Sequence, residues 1–256
     1  MITEVKNGTY WYIKGKAVLN NINFSLEEGS VMTILGQNGV GKTTLLKCIS
    51  GLLKWRSGET IVQGRKITSI NDFCEIGYVP QARGLAFPYT VKEMTSMGRA
   101  RYVKMFSVPS KEDIKKIEDT LEDIGIAHLA DVPCNQLSGG QLQLVYIARA
   151  LVAEPKVLIL DEPESHLDFK NQLYVLKLIK HLVDEKGISC IINTHNPENA
   201  LKISDKTLFL GKNDYLVGET KNIITEENIK KYFDVTSKIV SVSHEDEILT
   251  TIIAIK

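Results

Sequence analysis

An eight-residue run near the start of the chain, GQNGVGKT from Gly36 to Thr43, fits the pattern G-x-x-x-x-G-K-[ST]. It follows the apolar run VMTIL and precedes TTLLKCISGLL, whose apolar residues recur at helical spacing. A strand, a glycine-rich turn and a helix in that order make a phosphate cradle. Gly36, Gly39 and Gly41 let the backbone turn its N–H groups inward, and the helix start adds its positive dipole end. Lys42 would neutralise the outer phosphate oxygens and Thr43 would offer a hydroxyl to Mg²⁺. Asn38 and Thr44 complete the nucleotide-binding stretch.

Two further groups of residues carry chemistry. In VLILDE a strand delivers Asp161 at its carboxyl end, where open α/β sheets bind ligands, and Asp161 can hold Mg²⁺ through water. Glu162, one residue on, is placed to polarise an attacking water and is the candidate general base. LSGGQ (Leu137, Ser138, Gly139, Gly140 and Gln141) opens the helix-like run LQLVYIARALV. A serine and two glycines at a helix start form a second anion site. One nucleotide already has its cradle, so the second turn points to another nucleotide. Two copies arranged head to tail about a two-fold axis would let each turn close on its neighbour's ligand.

The elements that must position these residues alternate between strand-like and helix-like runs. KVLILDE and ISCIINTH read as strands, and LYVLKLIKHLV between them reads as the helix of a βαβ crossover. A mainly parallel sheet buried on both faces follows. The opening segment TYWYIKGKAVLNNINFSLEEGS, with aromatic and β-branched residues around turn signals, reads as an antiparallel sheet. From about Ala82 to Asn135 the character changes. Ile114, Ile117, Leu121 and Ile124 recur at helical spacing among charged residues, which predicts an inserted helical subdomain. The fold class expected is therefore α/β: a phosphate-loop core, an antiparallel β subdomain and a helical insert. Residues 1–81 and 150–256 would form the core, and about 82–149 the insert.

Composition narrows the function. The 256 residues are 43% hydrophobic and 24% charged, enough for one large core, and 31 Lys plus Arg balance 31 Asp plus Glu. No global basic field points to nucleic acid, so anion binding must be local. Cys48, Cys74, Cys134 and Cys190 lie far apart with no C-x-x-C pair, as expected of buried thiols in a reducing compartment. The longest apolar runs fall far short of the about 20 residues of a membrane span, and Met1 to Tyr10 holds no signal-peptide core. A cytosolic chain is expected, one that needs partners for any membrane role.

Taken together, the phosphate loop, GYVPQ, LSGGQ, VLILDE, SHLD and NTH stand in the order found in ATP-binding cassette ATPases, which the chain resembles from end to end. The resemblance implies ATP and Mg²⁺ as ligands and ATP hydrolysis within a homodimer. It also implies a seat on the cytoplasmic face of a membrane beside permease subunits, and indirect work with an extracytoplasmic binding protein. Gln81 of GYVPQ would touch the metal and the attacking water. Asp168 of SHLD would link the two sites across the dimer, and His195 of NTH would contact the γ-phosphate. An aromatic before the first strand pair would stack on adenine. Spacing to Leu19 favours Tyr12, with Tyr10 and Trp11 as alternatives. Leu142, Leu144, Glu164 and Asn196 depart from the usual family residues. The stretch SMGRARYVKMFSVPSKED and the DEPESHLD run resemble importers of metal chelates, of the iron-siderophore, haem, cobalamin or molybdate kind. An export ATPase, which shares the hydrolytic motifs, is the alternative.

Overall fold

The structure, a computed structural model, describes residues 1–68, 75–81, 87–103, 108–244 and 247–255. β1 (Thr3–Ile13) and β2 (Lys16–Leu26) form an antiparallel hairpin in which burial alternates along each strand, as period-two apolar patterning dictates. β3 (Val31–Leu35) is buried at every position. α1 (Lys42–Ile49) follows the glycine-rich turn. The sequence pattern carries this helix on to Leu53, but it stops at Ile49, and Gly51 takes φ 75° and turns the chain away. β4 (Ser57–Val62) and β5 (Arg65–Ile67) complete a four-stranded antiparallel sheet in the order β2-β1-β4-β5. This is the antiparallel sheet expected from the opening segment.

β6 (Ile76–Val79) leads into a helical region holding α2 (Val91–Ser96) and α3 (Lys111–Asp123). Capping boxes at Thr90 and Ser110 start both helices. Ile117, Leu121 and Ile124 are buried as their spacing predicts, whereas Ile114 sits at the rim, 38% exposed. α4 (Gly139–Leu151) then returns to the core and leads to β7 (Val157–Asp161), α5 (Phe169–Lys186) and β8 (Ser189–Asn193). After α6 (Pro197–Ile203) and β9 (Lys206–Leu210) come β10 (Tyr215–Glu219), α7 (Thr220–Ile223) and α8 (Glu226–Phe233). A closing hairpin of β11 (Ser237–His244) and β12 (Glu247–Ala254) was not foreseen from sequence.

The main sheet has the order β10-β9-β3-β8-β7-β6 among the described residues. All of its neighbouring pairs are parallel except the β10 edge. β7, α5 and β8 form the expected βαβ unit. Helix α1 lies between the two sheets: Leu45, Leu46 and Ile49 share a buried cluster with Leu19, Ile22 and Phe24 on one side and Ile34, Ile159 and Ile191 on the other. Full burial of each such side chain stabilises by about 1.5–3 kcal/mol. The phosphate loop is therefore anchored on a helix that cannot shift without opening the core. A second cluster joins α4, α5 and α3 to the opposite face of the main sheet.

Candidate functional site

The carboxyl ends of β3, β7 and β8 converge, and the segments that leave them carry the site. After β3, Gly36, Gly39 and Gly41 take φ 150°, 81° and 112°. A side chain at Gly36 would place a Cβ 2.3 Å from the Leu210 carbonyl oxygen, so neither the dihedral nor the space admits another residue. Lys42 is buried, and its Nζ donates to the carbonyls of Gly36 (2.7 Å) and Gln37 (2.9 Å) and lies 3.3 Å from His195 Nδ1. Burial lowers its pKa from the ordinary amine value, while Glu162 and Asp161 pull the other way. Its charge thus sits at the centre of the loop with little water to screen it.

Asp161 ends β7, buried, and receives three donors: Thr43 Oγ1 at 3.1 Å, Asn193 Nδ2 at 2.6 Å and Tyr78 OH at 3.2 Å. Glu162 leaves the strand in the left-handed region at φ 52°, a conformation that costs a residue with a Cβ of order 1–3 kcal/mol. That turn aims its carboxylate at His195 Nε2 on one side and at Gln81 Nε2, 3.2 Å away, on the other. Gln81 also donates to Ser165 Oγ at 2.9 Å. Lys42, Gln81, Glu162 and His195 therefore form one contiguous polar cluster.

Thr43 and Asp161 bring a hydroxyl and a carboxylate together, and Gln81 is joined to the same site through Glu162. Among the described residues no group of three His, Cys, Asp or Glu could hold a metal unaided. Hard oxygens in too small a number for a protein cage suit Mg²⁺, which keeps water and takes substrate phosphate oxygens as further ligands.

Tyr12 is 58% exposed, and its hydroxyl lies 3.1 Å from Thr44 Oγ1. Tyr10 is instead buried, edge-on to the Tyr12 ring and beneath the Arg56 guanidinium. Trp11 is half-buried, and its backbone carbonyl accepts from Arg56 Nε at 3.2 Å. A cleft of about 270 Å³ is lined by Tyr12, Val18, Asn38, Lys42, Thr43, Glu162 and neighbouring backbone, and by none of the LSGGQ residues.

Those residues stand at the start of α4. Ser138 caps the helix, its Oγ accepting from Gln141 N at 3.3 Å while Gln141 Oε1 accepts from Ser138 N at 3.0 Å. Ser138 and Gly139 are exposed, Leu137 is half-buried, and Gly140 packs so closely on α5 that a Cβ there would meet Asn171 Cγ at 2.8 Å. The same Asn171 bonds Asp168 twice, from its backbone N–H (2.8 Å) and its Nδ2 (3.0 Å). The exposed helix start and Asp168 thus share one face.

Sequence reasoning missed Tyr78 and Asn193, which complete the shell of Asp161. They arrive from strands paired with β7, a proximity that no local pattern reveals. Burial, reinforced by Asp161, pushes the Tyr78 phenol up, so it stays a donor. Leu142 and Leu144, odd against the family wording, are both buried in the helical core.

A phosphate-loop fold with acidic strand ends and a separate capped helix start defines a nucleotide-hydrolysing cassette. The chain belongs to the ABC transporter family, which it matches over residues 19–165. It is 40% identical over 240 residues to an uncharacterized ABC transporter ATP-binding protein of Haemophilus influenzae, covering 91% of this chain and 89% of that one. Over 230 residues it is 36% identical to the molybdate import ATP-binding protein MolC of the same organism, covering 90% and 87%. A solved structure described as a candidate metal-chelate type ABC transporter, facing inward, superposes with a TM-score of 0.91 at 32% identity, covering 100% of this chain and 98% of that one. The protein is an ATP-binding ABC ATPase. No helix among the described residues is long and apolar enough to cross a membrane.

Proposed function

We propose that two copies of this chain, head to tail on the cytoplasmic face of a membrane, hydrolyse ATP to drive import of a metal chelate through a permease. The observation that carries the composite site is the separation of the two phosphate-recognising turns. The loop at Gly36 to Thr43 lines the cleft, while Ser138 and Gly139 are exposed and line none of it.

In this reading Tyr12 stacks on adenine, and Gly36, Asn38, Gly39, Gly41, Lys42, Thr43 and Thr44 hold the phosphates. Thr43, Asp161 and Gln81 hold Mg²⁺, which when bound neutralises charge on the β and γ oxygens. Glu162 orients and polarises the water, held for that task by Gln81 and His195. His195 faces the γ-phosphate. Leu137, Ser138, Gly139, Gly140 and Gln141 of one copy close on the other's nucleotide, and Asp168 links the two sites. We divide the chain into a nucleotide-binding core of residues 1–81 and 150–256 and a helical insert of about 82–149.

The likeness to MolC and to the metal-chelate type structure supports the import reading. A cavity of about 490 Å³ beside the insert supports a permease seat. Leu52, Met97 and Ala100 line it together with Arg101 and Arg149. Of Leu85, Phe87, Tyr89, Met94 and Met97, apolar residues in this stretch of sequence, Phe87, Tyr89 and Met97 are exposed. Met94 is core, at 2% exposure, and Leu85 lies outside the described residues.

Ser138→Arg tests the shared site. It should remove hydrolysis, by about a hundredfold or more if the turn supplies donors in the transition state, and leave ATP affinity of the dilute single chain unchanged. Loss of that affinity would assign the turn to its own chain's nucleotide.

A further inference from the structure

Glu164 is a carboxylate in an unexpected place. It lies two residues beyond Glu162, only 8% exposed, and its Oε1 accepts from the Thr194 hydroxyl and from Asn199 Nδ2 at 3.2 Å. Its Oε2 is buried and meets no hydrogen-bond partner among the described residues. Burial pushes this carboxyl up from the ordinary value, against the bonds from Thr194 and Asn199, with Glu162 adding to the rise. A core that needed only to be filled would be better served by an apolar side chain, because a half-satisfied buried acid is costly.

The bonds run to both sides of His195. Thr194, itself buried, donates to Glu164, and its Oγ1 accepts from Asn196 N at 3.0 Å. Asn196 caps α6, accepting from Glu198 N at 2.9 Å, and Asn199 on the first turn of α6 reaches back to Glu164. The residue before His195 and the helix that begins just after it are therefore both tied to one carboxylate. That carboxylate belongs to the segment that carries Glu162. On the exposed side, His195 Nε2 meets Glu162 Oε1 and Nδ1 lies 3.3 Å from Lys42 Nζ.

We propose that Glu164 is a positioning residue: through Thr194 and Asn199 it fixes the backbone on both sides of His195 and so holds the imidazole between Glu162 and Lys42. The proposal rests on the assignment of Glu162 and His195 to the hydrolytic centre. Its own content is the linkage, which is a property of the folded chain with or without turnover. Since Oε1 alone accepts both bonds, Gln at this position can replace Glu, whereas Ala cannot.

Two readouts in the full-length chain test it. In ATP hydrolysis, Glu164→Ala should lower kcat by about tenfold, with KM for ATP within about twofold, the pattern of a misplaced group that binding does not use. Glu164→Gln should restore kcat to within about threefold of wild type. Thr194→Val should lose kcat as Glu164→Ala does, and the double variant should be no worse than Glu164→Ala alone, because both break one linkage. Separately, the ring ¹⁵N and ¹H signals of His195, assigned by their loss in His195→Gln, should shift in Glu164→Ala and Thr194→Val and return in Glu164→Gln.

Additive losses, a Gln variant as slow as Ala, or His195 signals unmoved in folded Thr194→Val would overturn the proposal. If Glu164→Ala does not fold, Thr194→Val and Glu164→Gln decide the matter by the same criteria. If instead Glu162→Gln hydrolyses ATP normally while the His195 signals shift as stated, the linkage stands and the assignment of the hydrolytic centre fails.

Discussion

Among single residues, Tyr12 separates what sequence and structure each contribute. Sequence leaves three aromatics open, because Tyr10, Trp11 and Tyr12 are adjacent and any of them can stack. Burial supports Tyr12 in the proposed role: Tyr10 is committed to the core, Trp11 is half-buried and Tyr12 lies exposed at the cleft. Base–aromatic stacking is worth about 1–3 kcal/mol, so Tyr12→Ala should weaken ATP binding by roughly tenfold or more, with Tyr12→Phe close to wild type. Equal loss in Tyr12→Phe would mean that the hydroxyl bond to Thr44, rather than the ring, is what matters. The phosphate loop and the DE pair were legible because each is a contiguous run whose chemistry is local. Tyr78, Asn193 and Glu164 were not. They act through strand pairing and loop packing, and although Glu164 stands out in the sequence as an unusual residue, its bonds to Thr194 and Asn199 lie far along the chain.

Among elements, the stretch whose wording resembled metal-chelate importers turns out to hold a structural lock. Arg99 and Asp113, both buried, pair at 2.9 Å, and Arg99 also reaches the carbonyl of Val152 just beyond α4. The Asp113 carboxyl is held down from the ordinary 3.8 to about 2, first by the Ser110 hydroxyl and backbone N–H and then by Arg99. A folded-state value below the unfolded one stabilises the fold only while the group is ionised. The contribution is thus complete above about pH 4 and fades as pH falls toward 2. Asp113→Asn should lower Tm by several degrees at neutral pH, and the gap from wild type should close between about pH 4 and pH 2. A gap that is constant across that range would detach the stabilisation from the carboxylate. Strand runs such as VLILD were legible since burial on both faces leaves them apolar throughout. The β11–β12 hairpin was less so. It is fastened by Glu198, which accepts from Thr251 Oγ1 and Ile252 N across a long sequence separation that no local pattern reveals.

In the whole molecule, the proposed function needs two surfaces, a nucleotide cleft completed by a second copy and a permease seat beside the helical insert. Phe87→Ser and Met97→Ser, both at exposed positions, should weaken co-purification with the permease and lower transport. Neither should change basal ATP hydrolysis of the free subunit, since neither side chain reaches the cleft. Unaltered transport in both variants would move the docking surface elsewhere. The central claim is that ATP is enclosed between two copies, and Glu162→Gln tests it most directly because it should bind nucleotide without completing hydrolysis. Light scattering on a sizing column with ATP and Mg²⁺ should show a stable species of twice the 28.6 kDa chain, which dissociates when nucleotide is removed. A variant that stays at 28.6 kDa at every ATP and protein concentration, or that turns ATP over at the wild-type rate, would contradict the claim.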